Sequence, residues 1–213
     1  MVFEKIKLPL LLLGIILLTR ILVSLLSENL VSEEMIYQEL IEFYDHQKIM
    51  EILQKKSGGG VYKSYMLLCL FSIIRISFTF ICMYIGLNVL VKDFSSVSLL
   101  TAILLADFIF IIPGFIKLIW FNFIIVEYSL NDIRNFPDYY SAAGFIDTRE
   151  SPLLSYPLHL FNFFEICYWT MLAYKLKPII GTFWQSVKFV SLTYGVGIAI
   201  WILLVMFLIL SFS

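Results

Sequence analysis

The chain has 213 residues, 61% of them hydrophobic and only 15% charged, with a mean hydropathy of +0.92. A soluble domain runs about 45–50% apolar and about 25% charged, and a chain this short has no globular core large enough to hide the excess. Fifteen basic and sixteen acidic side chains leave a net charge of −1 and no basic footprint for nucleic acid, so a soluble enzyme, a disordered chain and a nucleic-acid binder are excluded in favour of a multi-pass membrane protein.

A spanning helix needs about 20 predominantly apolar residues. Residues 8–26 form the first such run, the weakest of the set, with Arg20 inside it. Glu4, Lys5 and Lys7 precede it, but no small-residue cleavage site follows; Ser24-Leu25-Leu26-Ser27 is too bulky. Residues 1–27 are therefore read as an uncleaved transmembrane anchor rather than a signal peptide. Residues 28–63 then break the apolar pattern with seven acids and four lysines. Ser32 followed by Glu33 and Glu34 reads as a helix start, with acids beside the positive end of the dipole. Ile36, Leu40, Phe43, Met50 and Leu53 recur at helical spacing, Lys55 and Lys56 fill the last turn, and Gly58-Gly59-Gly60 end it. The spacing predicts one acidic amphipathic helix of about 24 residues outside the bilayer, joined by a glycine hinge to the next span. Its acidic polar face disfavours an anionic lipid surface. The apolar stripe either packs on the chain's own span ends or offers Ile36, Leu40, Phe43 and Met50 to a protein partner.

Residues 64–91 carry a single charge, Arg75, and residues 94–126 carry Asp107, Lys117 and the kink-forming Pro113-Gly114. Residues 128–156 form a turn-rich polar loop whose Tyr139, Tyr140 and Tyr156 suit the headgroup level. Residues 157–174 form another apolar run, containing His159 and Glu165. The last run is the longest: residues 189–213 hold 25 residues without a charge, and the run extends back to about Thr182, past Lys188. Ser191, Gly195 and Ala199, spaced by four, give it a small-residue face suited to close helix approach. Backbone groups in lipid must bond internally, and the runs do not alternate as barrel strands do. The expected fold is an all-α integral membrane protein of about five transmembrane helices plus one extramembrane amphipathic helix. Its organisation is an anchor at 1–27, the acidic segment at 28–63 and a four-span membrane domain at 64–213. Lys5, Lys7, Lys92, Lys175 and Lys177 sit in short segments that favour a cytoplasmic N-terminus.

Arg75, Asp107, Lys117, Glu165 and Lys188 lie within these apolar runs, where each is costly unless paired, in a cavity or able to snorkel. The short connections make Arg75–Asp107 and Glu165–Lys188 the expected pairs. Lys117, ten residues beyond Asp107, is about 15 Å further along the helix and is expected to snorkel. The set is either interhelical glue or a charged path for protons, ions or substrate. Other chemistry is sparse. Cys69, Cys82 and Cys167 lie in spans without a C-x-x-C, and His159 and Glu165, six apart, fall on different helix faces. Gly58-Gly59-Gly60-Val61-Tyr62-Lys63-Ser64 lacks the glycine before the lysine that a phosphate loop needs. No nucleophile stands beside a base. Neither an enzyme nor a metal or cofactor site is expected.

One stretch carries a resemblance. Ser151-Pro152-Leu153-Leu154 is followed by Pro157-Leu158, by Leu160-Phe161-Asn162-Phe163-Phe164-Glu165, and by a span ending Leu172-Ala173-Tyr174. A turn with Gly181 leads to Val190-Ser191-Leu192-Thr193-Tyr194-Gly195-Val196-Gly197 and the apolar run around Trp201. The pattern P-L-x-x-x-N-x-F-E, a span, a short turn and a Y-G-x-G final span resembles the YIP-type, Rab-GTPase-interacting membrane family, especially its bacterial relatives, over about residues 150–210. The resemblance implies five spans with a cytosolic N-terminus, no catalytic residues, and a bacterial inner membrane, the alternative being the endoplasmic reticulum or Golgi, where eukaryotic members act as traffic adaptors. The expected function is a non-enzymatic adaptor or assembly subunit of a trafficking, export or transport complex, partnered by lipid and by another protein or its own copies. The alternative is a permease-like transport component that uses the intramembrane charges, with a lipid-acting enzyme behind both.

Overall fold

The structure, a computed structural model, describes residues 2–41, 43–55, 61–91, 93–125, 127–145 and 152–212. The glycine run at 58–60, with Lys56 and Ser151, lies outside the described residues. Regular structure among the described residues is helical, apart from an isolated bridge between Ser141 and Asn162. Among the described residues, four helices are long and apolar enough to cross a membrane: Ile6–Glu28, Tyr62–Leu90, Ser96–Ile124 and Phe183–Ser211. The first lies in α1 (Val2–Glu28) and the second in α4 (Val61–Leu90).

The third is continuous in path but not in helix type. Ser95 caps α5 (Ser96–Asp107), its side chain accepting from Ser98 N–H at 3.4 Å. A 3₁₀ turn follows at Phe108–Ile111, then α6 (Ile112–Ile119) and a π turn at Trp120–Ile124. Pro113 falls in the first turn of α6, where its missing N–H breaks no intrahelical bond. The fourth is α10 (Phe183–Val190), a π turn at Ser191–Gly195 and α11 (Val196–Phe212). It starts at Thr182, which exchanges capping bonds with Gln185, directly after Gly181 turns the chain at φ +124°.

The apolar run at 157–174 does not form one helix. It divides into α8 (Pro152–Leu160) and α9 (Phe163–Ile180), separated at Phe161-Asn162. Asn162 makes the break: its Oδ1 accepts from Glu165 N–H at 2.8 Å, and its Nδ2 donates to the His159 and Leu160 carbonyls at 3.0 and 3.3 Å. These bonds end one helix and cap the next. With Glu165, Lys175 and Lys177 in its 18 residues, α9 falls outside the set of long apolar helices.

The acidic segment also differs from expectation. Ser32 is the cap of α2 (Glu33–Leu40), accepting from Met35 N–H at 3.2 Å, but the helix ends after one face is made. A turn brings Phe43 and Tyr44 N–H back to the Leu40 carbonyl, and α3 (His46–Lys55) begins anew from Asp45. The single helix is thus two short ones, and the break resets the phase of the apolar stripe. Downstream, Ser129 and Asp132 form a capping box at the start of α7 (Leu130–Asn135).

The chain clusters into two compact units. One comprises the described residues of 1–15, 75–110 and 137–213. In it α9 packs between α5 and α10, burying Phe164, Tyr168, Leu172, Ala173 and Leu176. The i, i+4 recurrence of those residues is why α9 has a single apolar stripe directed at its neighbours. The other unit comprises the described residues of 16–74 and 111–136, with Ile16, Val23, Leu30, Ile49, Phe121 and Ile133 in its core.

Candidate functional site

The chemistry of the first unit gathers where α4, α5, α9 and the last span meet. Arg75 Nη2 and Asp107 Oδ1 form an ion pair, with the Asp107 side chain 1% exposed. The Arg75 guanidinium also lies over the Phe110 ring, 3.7 Å from its centroid. One turn along α4, Thr79 Oγ1 donates to the Arg75 carbonyl at 3.0 Å and accepts from the buried Tyr168 hydroxyl at 3.3 Å. An aromatic wall continues from there. Phe110 and Tyr168 centroids are 4.9 Å apart, Tyr168 and Tyr194 5.5 Å, and Trp169 and Tyr194 5.8 Å. At its far end Glu165 Oε1 accepts from Trp169 Nε1 at 2.8 Å, and the Tyr194 side chain lies near the same carboxylate. Thr79, Tyr168 and Tyr194 thus lie between two ionisable centres, Arg75–Asp107 and Glu165.

Glu165 is not paired with Lys188. The face of α10 turned inward carries Ser186, Phe189 and Val190, which leaves Lys188 exposed on another side. Equal depth on two antiparallel helices is not enough; both side chains must also share the contact face. Lys117 lies in the second unit, half-buried on α6. That unit holds a further polar contact inside an apolar run: Arg20 Nη1 donates to Ser72 Oγ at 2.5 Å, and Ser72 in turn donates to the Leu68 carbonyl.

The small-residue face of the last span is divided in use. Gly195 sits under Trp169, where a Cβ would come 2.7 Å from the indole. Ser191 and Ala199 are exposed. All three border a cavity of about 350 Å³ between α9 and the last span, with Glu165, Trp169 and Ile166 on its other wall. Two glycines outside that face bring α4 and the last span together: Gly86 of α4 faces Thr193 and Phe189, and Gly197 of α11 faces Cys82 Sγ at 2.6 Å from a notional Cβ. Only the pairing of Gly with a bulky neighbour on another helix reveals them, and a single-chain spacing rule has no access to that.

In the acidic segment Ile36 and Leu40 are half-buried, whereas Phe43 and Met50 are 72% and 49% exposed. The residue that α3 buries completely is Ile49, one position from Met50. The Arg134–Glu39 ion pair at 3.1 Å ties α2 to α7, and the Tyr128 hydroxyl donates to the Leu30 carbonyl at 3.2 Å. His46 shares a hydrogen bond with the Tyr37 hydroxyl at 3.2 Å, and His159 Nδ1 faces Asp138 Oδ1 at 3.5 Å, so both histidines have local partners. Nearby, burial pushes the Tyr140 phenol up, with Asp138 adding to the shift.

No protein-family model, curated protein or solved structure matches the chain.

Proposed function

We propose that the chain is a non-enzymatic adaptor or assembly subunit of a trafficking, export or transport complex, of YIP-like type, in a bacterial inner membrane. It crosses the bilayer five times. The fifth crossing is α9, which buries Phe164, Tyr168, Leu172, Ala173 and Leu176 where it packs between α5 and α10. The acidic helices α2 and α3 lie outside the bilayer and recruit a protein partner. The observation that carries this reading is the outward apolar surface of that segment. Ile41 and Phe43 are 55% and 72% exposed, Tyr44, Met50 and Ile52 are exposed as well, and among the described side chains of α3 Ile49 alone is buried. Several large exposed apolar side chains within one acidic segment have the composition of a docking surface. Cross-linking a tagged chain in native membranes is expected to capture a partner, and Phe43→Ser is expected to lose that partner while the thermal stability of the chain is unchanged. Capture that is indifferent to Phe43→Ser removes the adaptor assignment.

A transport component is the second reading. It is favoured by the change of helix type directly after Asp107, where 3₁₀, α and π geometry succeed one another within one span. On that reading Asp107→Asn abolishes flux across proteoliposomes and leaves partner capture intact.

A further inference from the structure

The cavity between α9 and the last span has a property that goes beyond docking: its walls offer acceptors and no free donor. Trp169 N–H is committed to Glu165. The Thr170 and Ser191 hydroxyls donate to the Ile166 and Val187 carbonyls at 2.9 and 3.0 Å. The Asn162 amide donates to the carbonyls of His159 and Leu160. What remains open to a guest is lone pairs on Thr170 and Ser191 oxygens and on the Glu165 carboxylate, with the Trp169 ring beside it. Glu165 is the one ionisable residue in the lining, and it already accepts a hydrogen bond from Trp169 Nε1 at 2.8 Å. The rest of the lining is apolar, including Val187, Ile198 and Ile202. Its volume, about 350 Å³, falls in the range of small-molecule sites.

From this we infer a binding site for a lipophilic amine, an alkyl chain ending in a protonated primary amine. The ammonium donates to Glu165 and rests against the Trp169 ring, and the chain occupies the apolar wall. An acceptor-only or anionic lipophile meets only lone pairs and a like charge. Depth sharpens the assignment. Trp169 lies on Gly195, two residues from the middle of the Phe183–Ser211 span, about 3 Å along its axis. A phospholipid amine stays at the headgroup level, about 15 Å from the bilayer centre, so the ligand is a free long-chain amine rather than a phospholipid headgroup. Ile166, Thr170, Ser191 and Ala199 are exposed, which leaves the cavity open sideways for entry from the hydrocarbon.

Native mass spectrometry of the purified chain, titrated with dodecylamine, dodecan-1-ol or dodecanoate, tests the assignment. Dodecylamine is expected to give a saturable one-to-one adduct, and dodecanoate none. Glu165→Gln is expected to weaken the amine adduct about tenfold or more, the loss of one charge-assisted bond, and to bring amine and alcohol level. Ala199→Phe fills the mouth from an exposed position, leaves the helix packing in place, and is expected to remove the adduct. Dodecanoate binding as tightly as the amine overturns the site, as does an adduct undiminished in either variant. So does an Ala199→Cys chain that cross-links to a second copy and binds no amine, since the groove would then belong to a dimer.

Discussion

Arg75 and Asp107 place opposite charges inside apolar runs, where either one alone is expensive. Their contact is largely enclosed: the Asp107 side chain is buried, and Phe110 covers the guanidinium of Arg75, whose side chain is 28% exposed. A buried pair of this kind is weak evidence of net stabilisation, but removing one partner strands the other. Arg75→Met is therefore expected to destabilise the chain by about 3–5 kcal/mol, whereas Arg75→Met with Asp107→Leu recovers most of it, measured by thermal unfolding in detergent. A double variant no more stable than Arg75→Met removes the pairing as the cause. The pair was visible in the sequence because two opposite charges flank a short turn and both point into the same contact. The same rule applied to Glu165 and Lys188 fails, because Lys188 is on the side of α10 away from its buried Ser186, Phe189 and Val190. Charge and depth can be read from a sequence; the facing of two helices cannot be read without their packing.

Helix ends decide more here than hydropathy does. Asn162 divides an apolar run because its amide competes with the helix for the His159 and Leu160 carbonyls and for Glu165 N–H. A hydropathy window averages over that one residue. Likewise the turn from Leu40 to Asp45 shifts the register by which α3 meets its unit, so Ile49 and not Met50 is the buried position. The Ser32 start, by contrast, was legible, since a capping serine before two acids is a local signal. The box at α7 offers a pH test of the same physics. Ser129 N–H and hydroxyl donate to Asp132 Oδ2 at 2.8 and 2.7 Å, and these bonds hold its carboxyl below the usual range. A folded-state value below the unfolded one means that the capping is complete above the ordinary carboxylate range, about pH 4, and is lost as pH falls through the folded value. Amide exchange in α7, corrected for intrinsic rates, is expected to be flat above that range and to accelerate below it. Asp132→Asn should abolish the pH dependence; a dependence that survives it assigns the effect to another group.

Five crossings and four differ in which face of the membrane receives the turn before the last span. Asp93 lies between the Tyr62–Leu90 and Ser96–Ile124 helices, and Tyr139 lies in the loop beyond the latter. If α9 crosses, Lys177 at its end emerges on the side of Asp93. If α9 lies on the surface, Lys177 stays on the side of Tyr139. All three positions are exposed, so each accepts a cysteine without disturbing a core. The native Cys69, Cys82 and Cys167 are half-buried free thiols and are removed first. In sealed vesicles, an impermeant maleimide is expected to label Asp93→Cys and Lys177→Cys alike, and Tyr139→Cys oppositely. The physical reason for expecting a crossing is burial. Tyr168, Leu172, Ala173 and Leu176 are covered by neighbours, so α9 is anchored among the other spans by its apolar stripe. Its polar Glu165 is bonded to Trp169, and Lys175 and Lys177 stand at the end of the helix, where long basic side chains reach the interface. Matching reactivity of Lys177→Cys and Tyr139→Cys would instead leave α9 on the membrane surface. The Glu165 carboxylate would then lie near water, and the amine site beside it would lose its argument from depth.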